Sequence, residues 1–218
     1  MKTLLLATAN PNKRAELQEI CRELAPDRFN VKTLADVGLH DVDVVEDAPD
    51  FAGNARKKAR EIAALVKGRG IAGIDVVVAD DSGLAVDALD GRPGVRSHRF
   101  SQDAGYAPTG LSFNDANNRL LLTLLAAVPD ERRGARFISH VIARSMVDDV
   151  EVVAAGVVDG RIARDLQGTN GFGYDPLFIV LDGPTALRGR RLAELSSSEK
   201  HGLSHRGRAM RELLGKLR

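Results

Sequence analysis

The sequence predicts an α/β fold on a mixed β-sheet. Short β-branched or leucine-rich runs alternate with amphipathic patterns of helical period. Some of these runs are separated by helix-length segments and others by tight turns, so parallel and antiparallel pairs must share the sheet. No composition break marks a linker, so any lobes should share that sheet as well.

Taken in order, Thr3 to Ala7 is a short apolar run and reads as a buried strand. "TANPNK" follows, then a helical pattern with Leu17, Ile20, Cys21 and Leu24 on one face. Phe29 to Leu34 looks like a second strand. Phe51 to Val66 reads as a helix with Ala55, Ala59, Ile62 and Val66 inward. "DVVVADDSGL" is a β-branched strand that runs into two acids, and Asn114 to Ala127 is a leucine-rich helix. "ARFISHVIARSM" and "VEVVAAGVV" read as strands joined by a turn at Asp148–Asp149. Asp159–Gly160 is a two-residue hairpin signal, and Pro176 to Leu181 reads as one more strand. The last helix carries Met210, Leu213, Leu214 and Leu217 at helical spacing.

The totals bound the class. A chain of 218 residues suits one large domain or two closely joined lobes, and 44% hydrophobic residues supply a substantial core. Charged residues make up 28% with a net charge of +1, which argues against disorder and against general binding to nucleic acid or a membrane surface. Cys21 is the sole cysteine, which excludes an intrachain disulfide and a cysteine-based zinc site. "MKTLLLATANPNK" has too short an apolar run for a signal peptide, and no stretch is long enough to span a bilayer. The expectation is a soluble cytoplasmic protein.

Four stretches could carry chemistry. In "TANPNK", Asn10 suits a helix N-cap and Pro11 the first helical position; the first-turn N–H groups would then point outward unpaired beside Lys13, an arrangement that binds phosphate. The plainer reading is simple capping with a solvated lysine. "VVVADDSGL" ends a strand with Asp80 and Asp81, whose side chains must leave opposite faces. Two acids followed by Ser-Gly suit a magnesium site facing a phosphate better than a solvated turn. Glu46, in "VVEDAPD", is a second candidate ligand, with a solvated charge as the alternative. "GTNGFGYDPLF" interleaves Gly168, Gly171 and Gly173 with Phe172, Tyr174 and Asp175. Such glycines let a backbone approach a ligand, and an aromatic beside them can offer a flat face; the alternative is a tight turn with Phe172 and Tyr174 in the core. "SSSEKHGLSHRGR" precedes and opens the last helix and gathers the donors Lys200, His205 and Arg206.

Three other patterns carry less. His201 and His205 have i, i+4 spacing, but no third zinc ligand accompanies them and Gly202 lies between. "GRGIAG" fits G-x-G-x-x-G but follows a helix and precedes a strand, the reverse of the dinucleotide-binding context. "RGRR", Arg188 to Arg191, reads as a solvated loop.

"ATANPNKRAEL", "NARKKA", "ADDSGLAVDALDGRPGVRS", "GFGYDPLF" and "SSSEKHGLSHRGRAM", in this order over almost the whole chain, resemble the inosine triphosphate pyrophosphatase family, the XTP/dITP diphosphatases. The resemblance implies hydrolysis of non-standard purine nucleoside triphosphates (ITP, dITP, XTP) to the monophosphate and pyrophosphate, with Mg²⁺, cleansing the nucleotide pool. It implies a long mixed central sheet flanked by helices, with residues 1–218 forming one domain whose two lobes share that sheet around a cleft, and a homodimer. The family's phosphate loop falls on Thr8, Ala9, Asn10, Pro11, Asn12 and Lys13. Its metal-binding acids fall on Glu46 and Asp81, and Asp81 matches the proton acceptor. Ser82 matches a substrate contact and Lys58 a phosphate-facing lysine. Phe172, Gly173, Tyr174, Asp175, Lys200, His205 and Arg206 match the nucleoside pocket, in which Phe172 looks like a stacking platform and Arg206 the donor to a 6-oxo group.

Three departures stand out. Gly53 replaces an acid usual before the Asn-Ala of the second helix, His98 replaces a small residue beside Arg99, and "LRGRR" lengthens the loop before Lys200. Two further readings stay open on these residues: a Maf-type nucleotide pyrophosphatase, and a non-catalytic nucleotide-sensing module. Adjacent Asp80 and Asp81 argue against the second, because a binder of polyanions gains little from clustered carboxylates unless a metal bridges them.

Overall fold

The computed structural model describes residues 1–217. Along the chain come β1 (Lys2–Leu6), α1 (Pro11–Leu24), β2 (Phe29–Thr33), α2 (Phe51–Gly68), β3 (Val76–Val86), α3 (Phe100–Asp103), α4 (Phe113–Leu124), β4 (Gly134–Ser145), β5 (Glu151–Ile162), β6 (Phe178–Val180), α5 (Ser197–Leu203) and α6 (His205–Lys216). The strands form one sheet in the order β2-β1-β3-β4-β5-β6. β1 pairs in parallel with β2 and with β3, whereas β5 and β6 pair antiparallel, so the sheet is mixed as its connections require. Among the described residues no helix is long and apolar enough to cross a membrane.

The chain resolves into two compact units. Unit 1 comprises residues 1–81, 139–156 and the chain from Arg206. Its strands alternate strictly. Leu4, Leu6, Val76, Val78, Val141 and Ala143 pack with Leu17, Ile20 and Cys21 of α1 and Met210, Leu213 and Leu214 of α6. Leu5, Val77, Ala79 and Ile142 pack with Ala55, Ala59, Ile62 and Val66 of α2. The period of two thus sorts neighbouring residues of one strand to different helices. Each fully buried Leu, Ile or Val contributes about 1.5–3 kcal/mol, so two such layers hold the unit firmly.

Unit 2 comprises Ser82–Ile138 and Val157–His205. Leu84, Val86, Leu121, Leu125, Phe137, Val158, Ile162, Tyr174 and Phe178 form its core, in which the Phe137 and Phe178 rings lie 4.8 Å apart. Arg133 is buried in this unit. Its guanidinium donates to the carbonyls of Leu125 (2.6 Å), Ile162 (2.8 Å) and Ala163 (2.8 Å), placing a cation at the C-terminal end of α4, where the helix dipole favours one.

The structure corrects four expectations. Asp159–Gly160 is not a hairpin: β5 runs through it, because a Cβ at Gly160 would strike the Phe178 ring and the Ile179 carbonyl, so the glycine makes room for β6. β3 does not end at the acids but continues through Asp80 and Asp81 to Val86. Pro176–Leu181 yields only a three-residue strand, since Leu177 N and Phe178 N close turns onto the Tyr174 carbonyl. Arg188–Arg191 is only in part a solvated loop: Arg188 and Gly189 are exposed, with Arg188 donating to the Gly183 carbonyl and Arg190 to Glu194 O and Glu199, but Arg191 is buried and donates to Asp165 and Gln167. As expected, the Ser196–Arg208 segment precedes and opens the last helix: α5 is capped by a Ser196–Glu199 capping box and α6 starts after Ser204, so His201 and His205 fall on different helices.

Candidate functional site

Unit 1 assembles a buried cluster of acids and cations around β3. Asp80 continues the face of Val76 and Val78, which α1 and α6 cover; Asp81 continues the face of Val77 and Ala79, which α2 covers. Their partners follow. Asp80 Oδ2 lies 3.1 Å from Lys13 Nζ of α1 and 3.5 Å from Arg206 Nε of α6, and its Oδ1 accepts from Ser139 Oγ at 2.6 Å. Asp81 Oδ2 accepts from Asn54 Nδ2 of α2 at 3.0 Å, and its Oδ1 is 3.8 Å from Lys13 Nζ. Lys58, one turn after Asn54 on the same helix face, donates to Glu46 Oε1 at 2.6 Å and to the Asp80 carbonyl at 2.5 Å. Arg206 is fixed by a 2.8 Å bond to Glu16 Oε2.

Both aspartates are almost fully buried, at 1% and 3% exposure, yet their chemistry diverges. For Asp80, burial opposes ionisation, but Lys13, Arg206, Lys58 and the Ser139 hydroxyl together outweigh it and hold the carboxyl well below the usual range. For Asp81, burial dominates, and the nearby Glu46 and Asp80 add to it against Lys13 and Lys58, so its carboxyl is pushed up. Burial likewise pulls the Lys13 ammonium below its ordinary value, with Asp80 pulling back. The pair therefore consists of one fixed anion and one carboxylate that takes a proton more readily.

The loop before α1 differs from expectation in one respect. Asn10 caps the helix and Pro11 follows it, but Asn10 Oδ1 accepts from both Asn12 N and Lys13 N, and Arg14 N bonds the Asn10 carbonyl. The first-turn N–H groups are thus occupied, because the cap side chain that starts the helix also satisfies them. Thr8 is buried, with Oγ1 accepting from Asn10 N; Ala9, Pro11 and Asn12 are exposed.

A second cluster lies in unit 2. Gly171 and Gly173 have φ of +75° and +65°, and a Cβ on Gly171 would meet Asp175 Oδ2, so glycine is required there. The loop they shape is cross-braced. Asp175 Oδ2 accepts from Phe172 N and from Lys200 Nζ, both at 2.9 Å. Lys200 Nζ also stands 5.2 Å from the centroid of the half-buried Phe172 ring. Tyr174 is buried in the core and donates from its hydroxyl to Ser97 O at 2.8 Å, so its side chain belongs to the fold while its backbone shapes the loop. His205 is buried and stacks on Phe137 with centroids 4.7 Å apart. Ser82 is buried in β3.

The predicted residues therefore fall into two groups. Lys13, Glu46, Lys58, Asp81 and Arg206 gather in unit 1; Phe172, Gly173, Tyr174, Asp175 and Lys200 gather in unit 2, which also holds His205. Arg206, next in the chain to His205, bonds Glu16 and faces Asp80. Sequence reasoning missed Glu16, Asn54, Ser139 and Asn118. Three of them carried a signal: Glu16 shares the inward face of α1 with Leu17 and Ile20, Asn54 sits one turn before Lys58, and Ser139 is a polar residue at a buried strand position. At Gly53, the N–H donates to Asp50 Oδ1 at 2.6 Å and an added Cβ would lie 2.8 Å from Ala48 Cβ, so the chain packs closely at the start of α2. His98 is exposed, 6.5 Å from the Phe113 ring.

The donor set fits a hard divalent cation. Glu46 and Asp81 approach from different elements and repel each other, a repulsion that a cation between them would relieve. Among the described residues no group of three or more His, Cys, Asp or Glu could hold a metal by itself.

The chain is similar to known proteins from end to end. The Ham1 family model matches residues 4–216. A dITP/XTP pyrophosphatase of Corynebacterium glutamicum is 45% identical over 218 residues, covering 98% of this chain and 96% of its own. One from Clostridium perfringens is 39% identical over 100% of this chain and 98% of its own. Among solved structures, a HAM1 protein from Coxiella burnetii superposes with a TM-score of 0.77 at 33% identity, covering 100% of this chain and 98% of that one. A nucleoside-triphosphatase, dITP/XTP pyrophosphatase, from Mycobacterium abscessus does so with a TM-score of 0.67 at 42% identity, covering 99% and 100%. With a family model spanning nearly all of its length and relatives this similar from end to end, the chain belongs to the Ham1 family.

Proposed function

We propose that the chain hydrolyses non-standard purine nucleoside triphosphates, dITP, XTP and ITP, to the monophosphate and pyrophosphate, with the unit 1 cluster handling the phosphates and the Phe172–Asp175 loop the base. The observation that carries the chemical assignment is the pair Asp80 and Asp81 on successive positions of β3, with Lys13, Lys58 and Arg206 set around them. Triphosphate binding calls for cations, and hydrolysis calls for a buried group that accepts a proton.

Lys13, Lys58 and Arg206 offset the charge of the triphosphate, and Asp80 keeps Lys13 and Arg206 in place. Asn54 fixes Asp81 through Oδ2, and the Asp81 carboxylate receives a proton from water. As that proton leaves, the water oxygen bonds the α-phosphorus, the bond from the α-phosphorus to the bridging oxygen breaks, and pyrophosphate departs. Glu46 and Asp81 would hold Mg²⁺, which when bound neutralises phosphate charge and polarises the phosphoryl group under attack. Phe172 stacks on the purine, and Lys200 and His205 provide donors for the 6-oxo group that adenine lacks; the pairing of Lys200 with Asp175 supports this by fixing the ammonium beside the Phe172 ring. The family resemblance also supports a homodimer working in the cytoplasm.

The test is product analysis with Mg²⁺. Pyrophosphate and the monophosphate should form from dITP and XTP, far faster than from dATP, and ¹⁸O-water should label the monophosphate. Asp81→Asn should lower kcat by about 10²–10⁴-fold, the span of general-base effects. Orthophosphate with a nucleoside diphosphate as products, or wild-type turnover in Asp81→Asn, would refute the assignment.

A further inference from the structure

The loop Phe172–Asp175 is fastened from helix α4, and one fastening is costly to the fold. Two consecutive asparagines of α4, Asn117 and Asn118, are buried at 3% exposure. Asn117 is fully used: Nδ2 donates to Ser97 O (3.3 Å) and His98 O (3.1 Å), and Oδ1 accepts from Ser101 N at 2.8 Å. Asn118 is used on one side only. Its Nδ2 donates to the Gly173 carbonyl at 3.0 Å, while its Oδ1 is buried with no hydrogen-bond partner. An amide half satisfied in a core is a poor stabiliser, since the orphan oxygen costs desolvation that an apolar side chain of similar size would avoid. Its bond nevertheless falls on the Gly173–Tyr174 peptide, just after the half-buried Phe172, at a glycine with φ +65° that has little conformational preference of its own. Tyr174 is tied independently to Ser97 O, which Asn117 also holds. The Gly173–Tyr174 peptide, one residue beyond Phe172, is thus anchored by a residue whose retention stability alone does not explain.

We infer that Asn118 is a positioning residue for base recognition: it fixes the Gly173 peptide, and through it the plane of the Phe172 ring. This rests on the reading of Phe172–Asp175 as the base loop. Asn118 acts equally on bound substrate and transition state, so its loss should appear in KM and base preference and leave the phosphate chemistry alone.

Asn118→Leu tests this, because it keeps the volume, removes the donor and removes the orphan oxygen. The expected result is a melting temperature equal to or above wild type, KM for dITP raised about tenfold, kcat within about threefold, and calorimetric affinity for dIMP reduced by the same factor as KM. The dITP-to-dATP ratio of kcat/KM should fall, and inhibition by inorganic tripolyphosphate should stay at the wild-type value. If Asn118→Leu does not fold, Asn118→Ala is read for the same split between dIMP and tripolyphosphate. Phe172→Ala separates the two layers of inference. If Phe172→Ala raises KM for dITP while the Asn118 variant keeps wild-type KM, dIMP affinity and base ratio, the positioning role is overturned and the base loop stands. If Phe172→Ala also leaves KM unchanged, the base-loop reading itself fails. Equal weakening of dIMP and tripolyphosphate with a lowered melting temperature would mark Asn118 as merely structural.

Discussion

Asp80 and Asp81 differ by one position on β3, and their environments set opposite consequences for replacing them. Asp80 sits against Lys13, Arg206 and Ser139 with almost no exposure. Asp80→Asn would leave Lys13 and Arg206 buried beside a neutral amide, and breaking one side of a buried ionic arrangement costs about 3–5 kcal/mol. Asp81 is buried too, but Glu46 and Asp80 crowd its charge and its carboxyl is pushed up, so at neutral pH its ionised form is a strain on the folded state. Asn54 can still donate to the amide oxygen of Asn at 81. In chelator-containing buffer, Asp80→Asn should therefore melt well below wild type, whereas Asp81→Asn should melt at or above it while losing turnover. Equal destabilisation by both variants would mean that the two carboxylates share one environment, against the geometry. A gain in stability on removing a working group is the expected mark of a site arranged for chemistry.

The elements of unit 1 are tied together by a second ionic device away from these acids. Glu151, at the start of β5, receives Arg56 and Arg60 of α2 and Arg144 of β4 at 2.7 to 3.2 Å. Its hydrogen bond from Arg60, with the charges of Arg60 and Arg144, holds its carboxyl below the ordinary 4.5. A depressed acid stabilises the fold above its unfolded pKa, and that contribution fades as pH falls through the folded value. Arg56 and Arg60 are partly exposed, so solvent discounts the pairs, and Glu151→Gln should cost about 1–2 kcal/mol at pH 7. Urea titrations should show that difference narrowing once pH falls below the unfolded value of roughly 4.3 and closing only below the lower folded value, where Glu151 is protonated in both states; a difference independent of pH would assign the loss to packing. The elements themselves were legible where a local period wrote them. Lys13 and Glu16 fall on the same helical face as Leu17 and Ile20, and Asn54 and Lys58 on the face of Ala55 and Ile62, so the inward turn of these charges is visible in spacing alone. Gly160 shows where locality fails. Asp-Gly is a turn signal by itself, and only the Phe178 ring, eighteen residues on, makes it a strand position.

For the chain as a whole, the order of five short motifs was enough to indicate the Ham1 family, because a set of modest matches in sequence multiplies into a specific one. The side-chain partners were not legible, because they depend on packing across great sequence distance: Arg206 meets Glu16 at a separation of 190 residues, and Asp80 meets Ser139 at 59. That non-local packing can be read out in unit 1 with the chain's only cysteine. Cys21 is buried among Leu17, Ile20, Leu213 and Leu214, and burial pushes its thiol up to about 12. Both effects suppress the thiolate, which is the reactive form, and burial also denies it a reagent. A disulfide reagent at pH 8 should therefore label Cys21 only when α1 and α6 part. With a domain stability of about 5–15 kcal/mol, labelling should run at least a thousandfold slower than in the unfolded chain. In guanidinium one thiol per chain should react at once. Measured against denaturant, the slow rate should follow the opening of the unit 1 core, and Leu213→Ala, which removes a neighbour of Cys21 and should cost about 2–5 kcal/mol, should accelerate it by a matching factor. Rapid labelling of the native chain would show that α1 and α6 do not close over Cys21, and with them the placement of Lys13 and Arg206 on Asp80 would fall.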